Sequence, residues 1–345
     1  MQAFTDMLIL LFGVIKPMSL IQAENLTKIY RQNIKQPGLK GALKSLVKTE
    51  WMKKVAVDSI SFTMAEGESL ACIGENGAGK STLIKMLVGI LTPSSGSVKV
   101  YGENPMHHHE AYLRKIGVIF GQKTNLWFDI PVIESYRAIQ VLYKLDYKVY
   151  EKNMKMVTEL LELEPILRFP ARRLSLGQRM KADIGLIFLH SPKVLYLDEP
   201  TIGLDINVKF TIRRFIRKMN RENGVSVLLT SHDLDDIEQI SDKALVLSKG
   251  KIFYHGSLAE LKSNYATTRL INVKGRLTAD ISALAPDVEI KSDGLTTRLS
   301  FDTRSHSSSE MIDLVSRCFD IQDITIEEPG IDHVVSRIFT AGAKS

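Results

Sequence analysis

Glycine, lysine and hydroxyl residues cluster in one short segment whose composition suits the binding of phosphate groups. The segment lies between an apolar stretch at residues 69–73 and a helical pattern at residues 82–88, and it consists of Gly74, Glu75, Asn76, Gly77, Ala78, Gly79, Lys80, Ser81 and Thr82. Glycines let backbone N–H groups turn towards a phosphate, a helix N-terminus favours negative charge, a lysine reaches the terminal phosphates and a hydroxyl binds Mg²⁺. We therefore predict that these residues bind a nucleotide and that Ser81 also holds Mg²⁺. The alternative interpretation is a glycine turn that only joins a strand to a helix.

Two adjacent carboxylates follow a second apolar stretch. Asp198 and Glu199 come directly after residues 194–197, and ligands of open α/β sheets bind at the carboxyl ends of the strands. At such a place Asp198 would hold Mg²⁺, directly or through water, and Glu199 would activate the attacking water as general base. A solvated acidic turn is the alternative, but the glycine-rich segment earlier in the chain favours a nucleotide hydrolase.

The elements that position these residues alternate between strands and helices. Longer helical patterns separate short apolar runs at residues 69–74, 117–121, 194–198, 226–230 and 243–247. This alternation predicts an α/β fold with a mostly parallel core sheet. Residues 125–192 show apolar residues at helical spacing and no clear strand, which predicts a helical subdomain.

A change in texture after residue 257 predicts a domain boundary there. Short alternating strands at residues 269–273, 295–301 and 323–327 and helical patterns at residues 308–318 and 331–338 follow. We therefore expect a main domain at residues 18–256 and a small α+β domain at residues 257–345. Its predicted role is dimerisation or regulation of the main domain, and unchanged dimerisation and ATPase activity after deletion of residues 257–345 would count against that role.

Further short motifs occur in a fixed order along the main domain. Gln122 follows the strand-like run at residues 117–120, Leu174-Ser175-Leu176-Gly177-Gln178 precedes a helical run at residues 179–189, Gly203-Leu204-Asp205 follows the two carboxylates, and His232 follows the run at residues 227–231. Together with the first two motifs, this set resembles the Walker A, Q-loop, signature, Walker B, D-loop and H-loop of the ATP-binding cassette (ABC) family. The resemblance covers about residues 20–255. It implies a P-loop NTPase fold in which an antiparallel β subdomain and a helical subdomain accompany the core sheet.

The resemblance also implies ATP and Mg²⁺ as cofactors and assigns roles to single residues. Two cassettes, either two copies of this chain or this chain and a paralogue, would enclose each ATP between the Walker A loop of one and the signature of the other. Gln122 would sense Mg²⁺ and the attacking water, and His232 would contact the γ-phosphate. The remaining residues expected to bind the nucleotide are Tyr30, which would stack on adenine, the signature residues Ser175, Gly177 and Gln178, and Asp205. The signature has Leu176 where glycine is commonest.

The net charge of the chain is +6, which raises the question of a nucleic-acid partner. Residues 31–54 contain seven Lys and Arg residues and a single Glu, so this basic insertion carries the whole excess. The balanced remainder leads us to expect no nucleic-acid partner. Lys40, Lys44 and Lys48 fall on one face of a predicted helix, and apolar residues that include Trp51 fall on the opposite face. Contact of this helix with the membrane surface and simple solvation both stay open.

The N-terminal residues and the cysteines add two smaller expectations. The apolar run at residues 7–15 is shorter than the roughly 20 residues that span a bilayer, and it has neither the basic start nor the cleavage site of a signal peptide. We treat residues 1–17 as a leader of unexplained role. Cys72 and Cys318 are the only cysteines, which fits a reducing compartment.

The motifs together predict the ATP-hydrolysing subunit of a transporter. With one cassette and no predicted membrane span, the chain would act at the cytoplasmic face of the cell membrane, bound to integral membrane permease subunits. The form of the signature, residues 122–127, the basic insertion and the tail Ile324-Thr-Ile-Glu-Glu-Pro-Gly resemble ABC-2-type exporters of the viologen and multidrug branch. This resemblance implies export of a drug-like or amphiphilic substrate. The alternative is a soluble ABC ATPase that acts on a macromolecular complex without transport.

Overall fold

A computed structural model describes residues 19–33, 51–107, 109–121, 123–231, 233–265, 268–279, 287–294 and 296–327. The chain divides into two compact units between Gly256 and Ser257, and each unit is described by itself. Residues 1–17, the three lysines of the predicted basic helix and the predicted helix at residues 331–338 lie outside the described residues.

The first unit alternates strands and helices. Its strands are β1 (Ser19–Asn33), β2 (Trp51–Ala65), β3 (Ser69–Gly74), β4 (Ser95–Val100), β5 (Ile116–Phe120), β6 (Val194–Asp198), β7 (Ser226–Thr230), β8 (Lys243–Ser248) and β9 (Lys251–Ser257). Its α-helices are α1 (Lys80–Leu87), α2 (His109–Leu113), α3 (Val132–Leu142), α4 (Tyr147–Leu160), α5 (Leu176–Phe188), α6 (Ile206–Asn223) and α7 (Leu234–Ile240). None of the described helices is long and apolar enough to cross a membrane.

A six-stranded sheet forms the centre of this unit, in the order β5-β6-β7-β3-β8-β9. The pairs from β5 to β8 are parallel, and every residue of β3, β6 and β7 is buried. Side chains alternate between the two faces, so Leu195 and Leu197 join one hydrophobic cluster while Val194 and Tyr196 join the other. The sheet therefore lies between two cores, as the α/β prediction required.

A three-stranded antiparallel sheet, in the order β2-β1-β4, forms the predicted β subdomain. The structure corrects one prediction here. Trp51, expected on the predicted helix of the basic insertion, begins β2 and pairs with Asn33 across the ladder. Strand β1 is the central strand and continues to Asn33, so Tyr30 lies within it. The cause is continued pairing: backbone hydrogen bonds to β1 extend β2 into a segment whose side chains are exposed.

The helical subdomain consists of α3, α4 and α5, with short 3₁₀ turns between α4 and α5. It packs beside β5, the edge strand of the central sheet. Two side chains satisfy carbonyl groups of this edge: the Nδ2 group of Asn125 donates to the Val118 oxygen at 3.1 Å, and Nε2 of His190 lies 2.8 Å from the Ile116 oxygen. Burial lowers the pKa of His190, which keeps this imidazole neutral at ordinary pH.

The second unit is the predicted small α+β structure. Its elements are α8 (Leu258–Tyr265), β10 (Thr268–Leu277), β11 (Glu289–Ser292), β12 (Thr296–Asp302), α9 (Ser308–Cys318) and β13 (Phe319–Glu327). The strands form an antiparallel sheet in the order β11-β12-β10-β13. Buried residues of this sheet, such as Ile271 and Phe301, join Met311 and Val315 of α9 in one core. Helix α9 has the predicted bounds, whereas α8 and β11 were not predicted.

Candidate nucleotide site

The glycine-rich loop joins β3 to α1 and is confined by neighbouring strands. A Cβ atom on Gly74 would lie 2.5 Å from the Leu247 carbonyl oxygen of β8, and one on Gly79 would lie 2.4 Å from the Ala56 oxygen of β2. Gly79 also has a φ of 108°, a conformation that L-residues rarely adopt. Helix α1 begins at Lys80 rather than at Thr82, so the loop leads directly into a helix N-terminus that favours an anion.

Lys80 folds back on the loop that precedes it. Its Nζ atom donates to the Gly74 carbonyl oxygen at 2.6 Å and to the Glu75 carbonyl oxygen at 3.2 Å. The residue is 7% exposed. The ammonium group therefore links the helix N-terminus to the first two residues of the loop, at the base of the phosphate-binding segment.

A hydroxyl group and a carboxylate meet where α1 faces the end of β6. Ser81 Oγ donates to Asp198 Oδ1 at 3.1 Å, and Thr230 Oγ1, at the end of the neighbouring strand β7, donates to the same oxygen at 2.6 Å. Asp198 is buried. Mg²⁺ prefers oxygen ligands of these two kinds, so Ser81 and Asp198 fit a Mg²⁺ ion.

Glu199 follows Asp198 in a strained backbone conformation. Its φ is 56°, and its N–H donates to the carbonyl oxygen of Thr230 at 3.0 Å and to Oγ1 of the same residue at 3.2 Å. Left-handed conformations of non-glycine residues cost about 1–3 kcal/mol and cluster at functional sites. Here the turn directs Glu199 into the pocket above the loop.

Buried Asp236 fastens the turns that follow β6 and β7. It accepts hydrogen bonds from the hydroxyl groups of Thr201 and Ser231, the latter at 2.7 Å, and from Arg213 Nε at 2.5 Å. Thr201 follows the two carboxylates, and Ser231 precedes His232. The network therefore holds the two turns together next to the site.

The loop forms one wall of a pocket of about 460 Å³. Residues of β1 and β2 form the opposite wall, and the lining residues are Tyr30, Lys54, Ala56, Asn76, Gly77, Gly79, Lys80, Ser81, Thr82 and Glu199. The Tyr30 hydroxyl lies 3.5 Å from Thr82 Oγ1, and Lys28 Nζ lies 5.7 Å from the centre of the tyrosine ring. The pocket thus unites Tyr30, most of the glycine-rich loop and Glu199.

The signature residues form the start of α5 and do not line this pocket among the described residues. Ser175 is the N-cap of the helix: its Oγ accepts from the Gln178 N–H at 3.2 Å, and Gln178 Oε1 accepts from the Ser175 N–H at 3.0 Å. This reciprocal capping box moves the helix start to Leu176 instead of the predicted Arg179. Ser175 and Gln178 are exposed, so their surface is open to another molecule.

The unusual Leu176 lies beside the D-loop. A Cβ atom on Gly203, whose φ is 73°, would lie 3.5 Å from Leu176 Cδ2. The neighbouring Gly177 is buried against Val208 of α6, where a Cβ atom would lie 3.0 Å from Val208 Cγ2. Signature and D-loop therefore pack together within one chain.

Three further predicted site residues have different outcomes. Asp205 is the N-cap of α6, and its Oδ1 accepts from the N–H groups of Asn207 and Val208, each at 3.1 Å. Gln122 and His232 lie outside the described residues. Gly121, which precedes Gln122, is close to the site, because its N–H donates to the Asp198 carbonyl oxygen at 2.6 Å. Ser231, which precedes His232, donates to Asp236 at 2.7 Å.

A buried carboxylate connects the signature helix with the segment after β5. Asp183 Oδ1 accepts from Thr124 Oγ1 at 3.0 Å, from the Asn125 N–H at 2.6 Å and from the Leu126 N–H at 3.2 Å. Burial raises the pKa of Asp183 to about 6, although the three hydrogen bonds favour its charged form. The same segment continues into Trp127, whose N–H donates to Ser135 Oγ at 3.1 Å.

Sequence reasoning did not find Lys54, Asp183, Thr230 or Asp236. A polar residue at the end of an apolar strand, as in Thr230, was an available signal, and so was the carboxylate of Asp183 in a mostly apolar helix. The sequence gives no comparable signal for Lys54, because its position beside Tyr30 depends on strand pairing across a long insertion.

A sequence model described as ABC transporter matches residues 57–202. The methionine import ATP-binding protein MetN of Corynebacterium efficiens is 30% identical over 253 residues, which are 72% of this chain and 69% of the relative. The Nod factor export ATP-binding protein I of Ralstonia nicotianae is 32% identical over 239 residues, which are 69% of this chain and 74% of the relative.

Solved structures show the same fold. The ATP-binding subunit of an ABC transporter superposes with a TM-score of 0.60 at 24% identity, over 72% of this chain and 93% of the other. A dimeric ATP-binding cassette in a post-hydrolysis state, bound to ADP and Pi, superposes with a TM-score of 0.57 at 21% identity. That match covers 69% of this chain and 98% of the other.

Proposed function

The chain belongs to the ABC transporter family as an ATP-binding subunit, and from this premise we propose that it hydrolyses ATP to drive export by separate membrane subunits. The main support for ATP hydrolysis is the cluster of Ser81, Asp198 and Glu199 at the end of β6. Ser81 Oγ and Asp198 Oδ1 are 3.1 Å apart, and Glu199 enters the same pocket from the next position of the chain.

Binding of ATP uses the loop and the helix N-terminus. The phosphate groups lie against the N–H groups of residues 74–82, and Lys80 exchanges its bonds to the Gly74 and Glu75 oxygens for bonds to phosphate. Tyr30 stacks on the adenine from the opposite wall. Ser81 and Asp198 would hold Mg²⁺, with Gln122 as the proposed third ligand, and the ion would supply positive charge to the phosphate oxygens.

Glu199 is the proposed general base. Its backbone is fixed by two hydrogen bonds to Thr230, the residue that also holds Asp198, so the side chain begins at a fixed position next to Asp198 and lines the pocket. From there it accepts a proton from the attacking water. His232 is proposed to contact the γ-phosphate and to keep the water aligned with Glu199.

The signature residues act on a second molecule. Ser175, Gly177 and Gln178 lie at the N-terminus of α5, outside the pocket of their own chain, which suits contact with the γ-phosphate held by another copy or a paralogue. Asp205 would face the same interface. The dimeric solved cassette supports this arrangement.

The proposed substrate is drug-like or amphiphilic, and the proposed place of work is the cytoplasmic face of the membrane, bound to permease subunits. Relatives named for import and for export match over similar lengths. Export is therefore inferred from the Leu-Ser-Leu-Gly-Gln form of the signature, the basic insertion and the tail at residues 324–330.

Replacement of the base tests the hydrolytic mechanism. We expect Glu199→Gln to lower the ATPase rate by at least about 100-fold, because general-base catalysis contributes 10²–10⁴, while the Kd for ATP changes little and an ATP-bound dimer accumulates. Phosphate release, ATP titration and size-exclusion chromatography measure the three properties.

Two control variants separate the possible causes of a lost activity. Glu222→Gln makes the same chemical change at an exposed residue of α6 that pairs with Lys218, and it should keep wild-type turnover. Lys80→Ala should lose ATP binding itself. Wild-type turnover by Glu199→Gln would show that another group is the base.

A further inference from the structure

The pocket has a second wall that the motifs do not describe. In the antiparallel ladder of β1 and β2, Tyr30 is the direct partner of Lys54, and side chains of directly opposite residues project on the same face of a sheet. Lys28 and Tyr30 share a face of β1, and their ladder partners are Val57 and Lys54, so Val57 and Lys54 share a face of β2 across the register shift at Ala56. Since a Cβ atom on Gly79 would lie 3.2 Å from Val57 Cγ2, this face of β2 is turned towards the phosphate-binding loop.

The two lysines that line the pocket differ in how exposed they are. Among the described residues that line the pocket, Lys54 and Lys80 carry positive charge and Glu199 carries negative charge. Lys80 is 7% exposed and bonded to two carbonyl oxygens of its own loop. Lys54 is exposed on the opposite wall, so its ammonium group is the one that an incoming anion meets first.

The position of Lys54 along β2 favours the phosphate chain as the partner of this group. β2 meets the loop at Ala56 and Val57, next to Gly79, and Lys54 lies two residues before Ala56, beside its ladder partner Tyr30. Lys54, Tyr30 and Gly79 line the same pocket as Lys80 and Ser81. The long flexible stem of a lysine lets its ammonium group extend from the side of Tyr30 towards the phosphate-binding loop.

We infer that Lys54 is a nucleotide-binding residue whose ammonium group contacts the phosphate chain of ATP from the wall opposite the glycine-rich loop. This inference rests on the proposed function, because it requires the pocket to hold ATP with its phosphates on that loop. It adds to the site a cation that belongs to none of the six sequence motifs.

The test compares two neighbouring lysines. Lys54→Ala should raise the Kd for ATP and ADP about two- to fivefold at low salt, as expected for an exposed charge contact of up to about 1 kcal/mol. It should also weaken the dependence of binding on salt. Lys53→Ala is the matched control, because Lys53 points to the other face of the strand and pairs with Arg31. Its Kd should equal that of the wild type.

Two more measurements make the outcome decisive. Lys54→Arg, which keeps the charge, should restore most of the affinity, and adenosine, which has no phosphates, should compete equally well against wild type and Lys54→Ala. An unchanged Kd for ATP in Lys54→Ala, an equal loss in Lys53→Ala, or a loss that is as large for adenosine would overturn the inference. If Lys80→Ala also binds ATP normally, the proposed function fails rather than this inference alone.

Discussion

Gly79 is the residue at which backbone shape most tightly limits the phosphate-binding loop. It combines a φ of 108° with a place where a methyl group would lie 2.4 Å from the Ala56 oxygen. Gly77 has a similar φ of 86°, but an added Cβ would meet no atom within 4 Å. The two glycines therefore separate the cost of backbone conformation from the cost of a steric clash.

We expect Gly77→Ala to destabilise the protein by about 1–2 kcal/mol, the cost of a left-handed non-glycine residue. Gly79→Ala should cost clearly more and should abolish ATP binding, because β2 or the loop has to move. Thermal unfolding and ATP titration of both variants check this. Equal losses in the two variants would show that the contact with Ala56 is not what confines the loop.

For single residues, the sequence predicted those that belong to short contiguous motifs. The glycines, Lys80, Ser81 and Asp198 stand in contiguous motifs, so their types and spacing indicated that these residues lie together. Thr230 and Lys54 depend on pairing with residues far along the chain, Asp198 in one case and Tyr30 in the other. No short motif carries that information.

Asp183 joins two elements, the signature helix α5 and the segment after β5. Its buried carboxylate accepts three hydrogen bonds from residues 124–126 through a single oxygen. Movement of α5 must therefore carry this segment with it. The charges that act on Asp183 include the nearby Arg179, which favours the ionised form, while burial dominates and opposes it.

The pH dependence of stability tests this fastening. Because the pKa of Asp183 rises from 3.8 to about 6 on folding, the folded state binds more protons between these values. The contribution of Asp183 is thus most favourable below pH 4 and is lost as the pH rises through 6. Asp183→Asn keeps an acceptor oxygen without the charge. Relative to it, the wild type should gain about 2 kcal/mol in unfolding free energy between pH 7 and pH 4.5.

A second variant at this position separates charge from hydrogen bonding. Asp183→Leu leaves the three donors without their acceptor and should cost about 3 kcal/mol at every pH at which the protein folds. Chemical unfolding across the pH range measures both variants. A difference between wild type and Asp183→Asn that stays constant with pH would contradict the raised pKa.

At the scale of elements, buried strands were predicted more accurately than exposed ones. Strands β6 and β7 match their predicted bounds, because continuous apolar runs end at polar residues. The start of β2 was missed, since Trp51 to Lys54 lack the alternation of a half-buried strand and are held by pairing with β1. The start of α5 was missed because its capping box lies inside the signature motif.

Three exposed aromatic side chains are suited to binding a partner protein. Trp127 and Phe128 are 49% and 51% exposed, and Phe169 is 47% exposed. The Phe128 carbonyl oxygen accepts from the Arg172 N–H at 3.0 Å, and the Phe169 carbonyl oxygen accepts from the Val132 N–H at 3.1 Å. The aromatic surface, Trp127, Phe128 and Phe169, is thus held on ordered backbone. We propose that it binds a cytoplasmic segment of a permease subunit.

Loss of this surface should uncouple the cassette from its partners. We expect Trp127→Ala with Phe128→Ala to lose co-purifying polytopic membrane proteins, while basal ATPase activity stays within about twofold, because neither residue lines the nucleotide pocket. Phe210→Ala is the control, since Phe210 of α6 is 56% exposed elsewhere on the unit.

The direction of transport is a separate prediction. With wild-type protein, ATP should drive substrate into inverted membrane vesicles. Uptake only into right-side-out vesicles would contradict export.

For the whole molecule, the sequence predicted the class of the fold but not all its parts. Alternating strands and helices gave the α/β sheet, and the matched structures have the same fold. Strand β11 was missed because Ile290 is its only apolar residue, and α8 because a short helix follows β9 without an interval.

Lys80 has a structural part in its own loop, because its ammonium group joins the Gly74 and Glu75 carbonyl oxygens through two hydrogen bonds. Substitution of Lys80 therefore removes these two bonds as well as a positive charge at the phosphate-binding segment. A lost affinity after that substitution measures the shape of the loop as well as the attraction between ammonium and phosphate.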